Sequence, residues 1–216
     1  MYILKEAFYS LQGEGAQTGR PAIFCRFSGC NLWNGKESSR NNAICNFCDT
    51  DIIGSDGING GKFKNDAQLV SHILNLWPDS DTPAYIIFTG GEPALQITQS
   101  LIDLFKSKNC ILAIETNGTI PLPQNIDWVC VSPKGKSEVI LSNCNELKLV
   151  YPQVDALPAR FETIKADYYF ISPKNPLGTN SIISNENSSL TQCLQYCLDN
   201  PKWRLSLQTH KILNID

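Results

Sequence analysis

The hydrophobic positions of this chain fall into short apolar runs separated by polar, glycine-rich loops. Residues 84–88 are apolar throughout, which is typical of a parallel strand buried on both faces. Seven further runs rich in β-branched and aromatic residues predict strands at 3–9, 22–28, 110–116, 127–131, 146–150, 168–171 and 203–208. Apolar residues at helical spacing predict helices at 66–77, near 94–107, weakly at 154–165, and near 188–199. This alternation favours an α/β fold with a mainly parallel sheet.

Polar residues cluster directly after the predicted strands, at 89–93, 115–118, 132–134, 172–175 and 208–211. Loops at the carboxyl ends of parallel strands meet at one edge of the sheet and form the site there. The connections 118–127 and 132–145 are too short or irregular for full crossover helices, so a complete eight-stranded barrel is not expected. We predict a single domain over residues 1–216, built as a partial, splayed (β/α) barrel of about six mainly parallel strands with few helices.

The composition narrows the class of protein. The chain has 216 residues, of which 42% are hydrophobic and 18% charged, enough for a sizeable core. A net charge of −3 and the lack of a Lys/Arg run argue against a nucleic-acid partner. No apolar run approaches the roughly 20 residues that cross a bilayer, so no membrane partner is expected. Nine cysteines without a secretory start indicate free thiols and a cytoplasmic location.

The loop 30–48 carries Cys30, Cys45 and Cys48 in the spacing C-x14-C-x2-C. A tight C-x-x-C pair with a third cysteine is the spacing of a metal site rather than of a disulfide. A structural zinc ion takes a fourth Cys or His, and the nearby Cys25 lies in an apolar strand pattern. A [4Fe–4S] cluster held by three thiolates leaves one iron open to bind a small molecule. A cluster, a structural zinc ion and buried thiols are therefore the three interpretations of this loop.

The segment Thr89-Gly-Gly-Glu-Pro93 follows a predicted strand. Its glycines allow the backbone to approach a ligand closely, although a Gly-Gly turn before a helix is common by itself. Together with the three-cysteine loop, the segment resembles the radical S-adenosylmethionine superfamily. The usual spacing in that superfamily is C-x3-C-x2-C, and the first gap here is longer.

Five more motifs accompany the long first gap: Leu11-Gln-Gly-Glu-Gly15, Cys48-Asp-Thr50, Glu115-Thr-Asn-Gly118, Ser132-Pro-Lys134 and Gln208-Thr-His-Lys211. In combination they resemble the 7-carboxy-7-deazaguanine synthase (QueE) family of that superfamily, from Tyr9 to Lys211. The resemblance implies the modified radical S-adenosylmethionine core and the conversion of 6-carboxy-5,6,7,8-tetrahydropterin to 7-carboxy-7-deazaguanine with loss of ammonia, in queuosine-type 7-deazapurine biosynthesis. It also implies Mg²⁺, an electron donor such as flavodoxin or ferredoxin, and a homodimer.

The resemblance assigns roles by position. It implies that the [4Fe–4S] cluster is held by Cys30, Cys45 and Cys48, and that the side chain of Thr50 binds Mg²⁺. It implies contacts with S-adenosylmethionine from Asp49, Gly90, Gly91, Glu92, Ser132, Pro133, Lys134, Ser172, Pro173, Lys174 and Asn175. It implies substrate contacts from Leu11, Gln12, Gly13, Glu14, Arg26, Thr89, Glu115, His210 and the chain end at Asp216. Guanidinium pairs with carboxylate through two parallel bonds, which suits Arg26 to the substrate carboxylate.

Plainer interpretations stand beside these roles. Arg26 on a strand edge or His210 near the chain end is also compatible with simple solvent exposure, and Thr50 with a local bond to the backbone. Cys193 and Cys197, four apart on a predicted helix, are expected to pack in the core. Two other functions remain open: an activase that places a radical on a glycine of a partner protein, and a non-catalytic metal-binding module.

Overall fold

The structure is a computed structural model and describes residues 1–174 and 188–215. Its strands are β1 (Tyr2–Leu11), β2 (Pro21–Phe27), β3 (Gly61–Phe63), β4 (Tyr85–Gly90), β5 (Ile111–Thr116), β6 (Trp128–Val131), β7 (Asn143–Tyr151), β8 (Lys165–Pro173) and β9 (Trp203–Leu205). Its α-helices are α1 (Asp66–Leu74), α2 (Gln99–Ser107), α3 (Ser189–Asp199) and α4 (Thr209–Leu213). Short 3₁₀ turns occupy Gly15–Gln17, Glu37–Asn42, Pro93–Leu95 and Pro158–Phe161.

All nine strands belong to one sheet in the order β3-β1-β2-β4-β5-β6-β7-β8-β9. The pairs from β2 to β9 are parallel, whereas β1 pairs antiparallel with both β2 and β3. Within the described residues β3 and β9 each have a single neighbour, so the sheet does not close. The predicted α/β fold with a partial, splayed and mainly parallel barrel is confirmed. The eight predicted strand positions correspond to β1, β2 and β4 to β9, and β3 is additional, so the sheet exceeds the estimate of about six strands.

The helices cover the outer face of the sheet. Leu69 and Ile73 of α1 pack with Leu101 and Phe105 of α2 against the outward residues of β1, β2, β4 and β5. Farther along, Cys193 of α3 packs on the outward residues of β7 and β8. The opposite face of the sheet carries only a small apolar cluster of Ala22, Tyr85, Ile87 and Ala113. That inner face is therefore left for polar side chains.

Helix starts follow their capping residues. Asn65 accepts from the backbone N–H of Gln68 at 3.0 Å and caps α1. Pro93 opens only a 3₁₀ turn, and α2 begins at Gln99 because Thr98 supplies its cap. The prediction of one helix over 94–107 is wrong in its first turn.

Three further predictions are corrected by the structure. Residues 154–165 do not form a helix: the segment holds a 3₁₀ turn at Pro158–Phe161, and Lys165 already begins β8. Residues 61–63, which lie outside the predicted strands, form β3 by pairing with β1, and the last strand ends at Leu205 because α4 follows it.

The two cysteines of α3 pack towards the core. Cys193 is fully buried and Cys197 packs partly against the same core, while Leu194 is 45% exposed. The core interpretation of these two cysteines is thus supported. None of the helices in the described part of the chain is long and apolar enough to cross a membrane. The single domain over 1–216 stays a prediction.

Candidate active site

A cavity of about 600 Å³ opens at the carboxyl ends of the parallel strands. Most of the residues to which the sequence assigns a role line it, from the first loop of the chain to the last helix. They are Leu11, Gln12, Gly13, Glu14, Arg26, Cys30, Cys45, Cys48, Asp49, Thr50, Thr89, Gly90, Gly91, Glu115, Ser132, Lys134, Ser172, Pro173, Lys174 and His210.

Four predicted site residues are not among the lining residues. Glu92 and Pro133 are buried behind the cavity wall. Asn175 and Asp216 lie outside the described residues. Their predicted roles remain predictions.

The thiol wall, defined as Cys30, Cys45 and Cys48, is built by the loop that follows β2. The backbone N–H of Leu32 donates to Cys30 Sγ at 3.4 Å, and Cys45 N donates to the carbonyl of Leu32 at 3.4 Å. Arg40 donates to the carbonyl of Cys48 at 2.8 Å. The residues between the first two cysteines therefore brace the loop on itself.

The thiols perturb one another electrostatically. The hydrogen bond from the Cys45 thiol lowers the pKa of Cys48, against the effect of burial, while the pKa of Cys45 rises correspondingly. Burial raises the pKa of Cys30, and backbone N–H groups of Leu32 and Trp33 oppose that rise. One thiol of the pair is thus prepared to become a thiolate, the form that binds metal.

The donor set fits an iron–sulfur cluster. Three thiols facing one cavity are the soft ligands that such clusters take. Across residues 1–174 and 188–215, no three His, Cys, Asp or Glu side chains converge closely enough to hold a single metal ion.

The Gly-Gly pair at the end of β4 lies directly against the thiol wall. A Cβ on Gly90 would collide with the backbone of Phe27, and Gly90 has φ of 133°, a conformation open to glycine. A Cβ on Gly91 would collide with the carbonyl of Gly29 and lie 2.9 Å from Cys30 Cβ. Backbone bonds hold this approach: Gly91 N donates to Phe27 O at 3.1 Å. Only glycine lets the two loops meet this closely.

Glu92 braces this loop from behind. Its side chain is fully buried and accepts from Ala94 N at 3.0 Å, Thr116 Oγ1 at 2.8 Å and Asn117 N at 2.8 Å. Burial raises the pKa of the carboxyl, and those backbone donors partly offset the rise. The carboxylate ties the loop after β4 to the loop after β5, and so positions the cavity wall.

The carboxylate wall, defined as Glu14 and Glu115 with Lys148 between them, lies on the inner face of the sheet. Lys148 Nζ is 2.8 Å from Glu14 Oε2 and 3.1 Å from Glu115 Oε2. Gln208 donates to the other oxygen of Glu14 at 2.8 Å, and Gln12 to that of Glu115 at 3.3 Å. Burial opposes ionisation of Glu14, but the charge and hydrogen bond of Lys148 prevail and lower the pKa of Glu14 to about 2.

Helix α4 closes this side of the cavity. Thr209 donates to the carbonyl of Gly13 from both its backbone N–H, at 2.9 Å, and its hydroxyl, at 2.8 Å. A Cβ on Gly13 would collide with the ring of His210, so the helix packs on bare backbone. Burial lowers the pKa of His210, with Lys211 and Lys148 adding to that effect against the pull of Glu14. His210 therefore faces the cavity as a neutral imidazole at neutral pH.

Three further polar residues of the cavity, Arg26, Asp49 and Lys134, have partners. Arg26 points away from buried Cys25 and Phe27, as strand alternation predicts, and donates to Glu6 Oε1 at 2.7 Å. Asp49 pairs with Lys211 at 2.8 Å, next to Thr50. Lys134 donates to the carbonyl of Ser132 at 2.7 Å and to its hydroxyl.

The sequence analysis missed Lys148 and Glu146, both on β7. Glu146 is buried and accepts from Ala16 N at 2.9 Å, which fixes the loop carrying Glu14. The signal was present in Glu146-Leu-Lys-Leu-Val150, because two charged residues alternate with leucines that are buried in the outer core. Such alternation marks a strand with one polar face.

The arrangement places two different chemistries in one space. Three thiols occupy one wall, and fixed carboxylates with an arginine occupy another. A cluster-bound small molecule and a polar heterocycle with N–H donors would face each other there.

Known proteins resemble this chain along its whole length. The 7-carboxy-7-deazaguanine synthase of Bordetella pertussis is 49% identical over 214 residues, which is 99% of each chain. The protein of that name from Bradyrhizobium diazoefficiens is 46% identical over 214 residues, again 99% of each chain. The one from Haemophilus influenzae is 33% identical over 222 residues, 98% of this chain and 92% of the relative. The crystal structure of QueE from Escherichia coli matches with a TM-score of 0.68 at 28% identity, covering 96% of this chain and 93% of that one. No protein-family model matches the chain.

Proposed function

We infer the function from one premise: this chain belongs to the 7-carboxy-7-deazaguanine synthase family of the radical S-adenosylmethionine superfamily. We propose that it converts 6-carboxy-5,6,7,8-tetrahydropterin to 7-carboxy-7-deazaguanine, with contraction of the reduced ring and loss of ammonia, for 7-deazapurine biosynthesis of the queuosine type. It acts as a carbon–nitrogen lyase. The observation that carries the proposal is the shared cavity, which both the thiol wall and the carboxylate wall line.

The thiol wall holds the [4Fe–4S] cluster through Cys30, Cys45 and Cys48. When bound there, the reduced cluster and S-adenosylmethionine would supply one-electron radical chemistry beside the substrate. The bare backbone at Gly90 and Gly91 gives the cofactor room beside the thiols. Asp49, Ser132, Lys134 and Lys174 bound the same space and keep water from it.

The carboxylate wall binds the pterin. Arg26, inside the sheet rather than on its edge, pairs with the substrate carboxylate, and Glu6 holds the guanidinium ready at 2.7 Å. Glu14 and Glu115 accept from the N–H groups of the pterin edge. Neutral His210 and Gln12 complete the polar lining. Their fixed partners orient them before the substrate arrives.

Thr50 binds Mg²⁺ through its hydroxyl in this proposal. It lines the cavity between Asp49 and Asp51, beside the thiol wall. A hard cation that keeps water and substrate oxygens as its other ligands suits a single hydroxyl from the protein.

The finer aspects of the biology are also proposals. A flavodoxin or ferredoxin supplies the electron, the enzyme is a homodimer, and it works in the cytoplasm. Family membership supports all three.

The test is an anaerobic conversion followed by mass spectrometry. The protein is reconstituted with iron and sulfide, reduced, and given S-adenosylmethionine, Mg²⁺ and the carboxy-tetrahydropterin. We expect 7-carboxy-7-deazaguanine with 5′-deoxyadenosine, and neither compound from Cys48→Ala. Deoxyadenosine without the deazaguanine would contradict the substrate assignment and favour a glycyl-radical activase. Neither compound from wild-type protein shown to hold its cluster would favour the metal-binding module.

A further inference from the structure

Lys148 lies between the two carboxylates of the carboxylate wall, and no motif of the sequence marks it. It stands on β7 with a side chain that is 7% exposed. Its ammonium contacts one oxygen of Glu14 at 2.8 Å and one oxygen of Glu115 at 3.1 Å. A single buried cation therefore joins two carboxylates that come from the first loop and from β5.

The remaining oxygens of the two carboxylates are also oriented. Gln208 donates to Glu14 Oε1 at 2.8 Å and Gln12 donates to Glu115 Oε1 at 3.3 Å. Each carboxylate is thus held at one oxygen by a charge and at the other by a neutral amide. A carboxylate oxygen has two lone-pair positions, so every oxygen keeps acceptor capacity for a ligand in the cavity.

We propose that Lys148 is the positioning residue for pterin recognition: it fixes Glu14 and Glu115 in place and keeps Glu14 an acceptor for the substrate's N–H edge. The inference rests on the proposed function. It assigns to Lys148 no contact with the reacting atoms, because its ammonium acts through the two carboxylates.

The surroundings explain why a cation is needed here. Glu14 and Lys148 are surrounded by further charged or titratable groups from the neighbouring elements. These groups are Glu115 on β5, Cys130 on β6, Glu146 on β7 and His210 on α4. Burial favours the protonated form of Glu14, and Lys148 is the main influence in the opposite direction. Burial likewise opposes the charge on Lys148, yet the acidic groups around it raise the pKa of Lys148 well above its usual value. The ammonium therefore stays charged through the working pH range.

The experiment compares Lys148→Met with wild type in the reconstituted enzyme, under anaerobic conditions. Equilibrium dialysis gives the Kd of the carboxy-tetrahydropterin between about pH 6 and 8.5. We expect Lys148→Met to bind about 10- to 100-fold more weakly at pH 7, the range of a lost hydrogen bond to a charged group. Its affinity should recover as the pH rises, because burial favours the protonated carboxyl of Glu14 once Lys148 is removed, and the ionised form accepts an N–H more strongly and at both oxygens. Wild-type affinity should stay flat over this range.

Two controls separate positioning from simple damage to the fold. The iron content after reconstitution and the thermal unfolding temperature of the cluster-free protein separate the two, and the iron content of Lys148→Met should equal that of wild type because the thiol wall is untouched. Lys148→Arg should restore most of the affinity and remove the pH dependence. Lys106→Met is the matched control, since it removes a lysine paired with Asp127 at 2.7 Å outside the cavity.

Each outcome decides the matter. If wild type turns over and Lys148→Met binds pterin with unchanged, pH-independent affinity, the inference about Lys148 fails and the proposed function stands. If wild type makes no deazaguanine, both fail together. If Lys148→Met does not fold, the pH dependence of pterin binding by wild type, extended below the range above to about pH 5, decides instead. A flat affinity down to about pH 5 supports the proposal, and a fall that follows protonation of a carboxylate overturns it.

Discussion

The buried carboxylate of Glu92 offers the sharpest test of how the cavity is built. The sequence assigns Glu92 to cofactor binding, yet it does not line the cavity and gives both oxygens to the protein. Glu92→Gln keeps the shape and replaces one acceptor oxygen by an NH₂ group. Whichever way the amide turns, one backbone N–H, of Ala94 or of Asn117, then faces another donor.

The magnitude follows from that single mismatch. A buried donor left without an acceptor costs about 1–3 kcal/mol. For a chain of this length each kcal/mol lowers Tm by about 2–4 °C, so Glu92→Gln should unfold about 2–12 °C below wild type. Glu92→Ala leaves both backbone donors unpaired, and we expect it to lose about 2–6 kcal/mol.

The assay is thermal and urea unfolding of the cluster-free protein, so that no cofactor contributes. Glu138→Gln is the matched control, because Glu138 is exposed and the substitution is the same. Unfolding of Glu92→Gln and Glu92→Ala within about 0.5 kcal/mol of the control would refute the bracing role of Glu92. A loss of cofactor affinity with unchanged stability would instead support the direct contact that the sequence predicts.

Three further predictions concern the two walls. Gly91→Ala should lower the free energy of unfolding by about 1–3 kcal/mol and reduce the iron content after reconstitution, because its Cβ would collide with the carbonyl of Gly29. The control is Gly61→Ala, whose Cβ makes only ordinary contacts and which should change neither quantity. The free energy of unfolding of wild type should exceed that of Glu14→Gln by about 3 kcal/mol near pH 7. Urea titrations should show this difference shrinking as the pH falls from about 5 to about 2, because a carboxylate with a lowered pKa stabilises the fold only above its unfolded pKa. A difference that stays constant with pH would contradict this. Thr50→Val should raise the Mg²⁺ concentration needed for half-maximal turnover about tenfold while leaving cluster absorbance unchanged, and an unaltered Mg²⁺ requirement would place the ion elsewhere.

The sequence predicts the sheet well because its strands are dense in β-branched and aromatic residues. It fails where tertiary contacts decide the local structure. Residues 61–63 become β3 only by pairing with β1, and α4 forms where the last segment docks on Gly13. The weak pattern at 154–165 is interrupted by Pro158, which opens a 3₁₀ turn instead of a helix.

The same distinction between sequence motifs and tertiary contacts applies to the residues of the candidate site. Residues in recognisable motifs, such as Cys45 and Cys48, were found because their spacing carries the chemistry. Lys148 was missed because its importance comes from the two carboxylates it joins, which lie 134 and 33 residues away along the chain. The cofactor contact of Glu92 stays a prediction, because a motif cannot distinguish a residue that lines a cavity from one that braces its wall.

The most direct test of the central claim, that one cavity brings the thiol wall and the pterin together, is hydrogen transfer between their occupants. The carboxy-tetrahydropterin is prepared with deuterium on its reduced ring and incubated anaerobically with the reconstituted, reduced enzyme and S-adenosylmethionine. Mass spectrometry should find one deuterium in the 5′-deoxyadenosine, formed together with 7-carboxy-7-deazaguanine. Deoxyadenosine without deuterium, from the same sample that makes the deazaguanine, would contradict the claim.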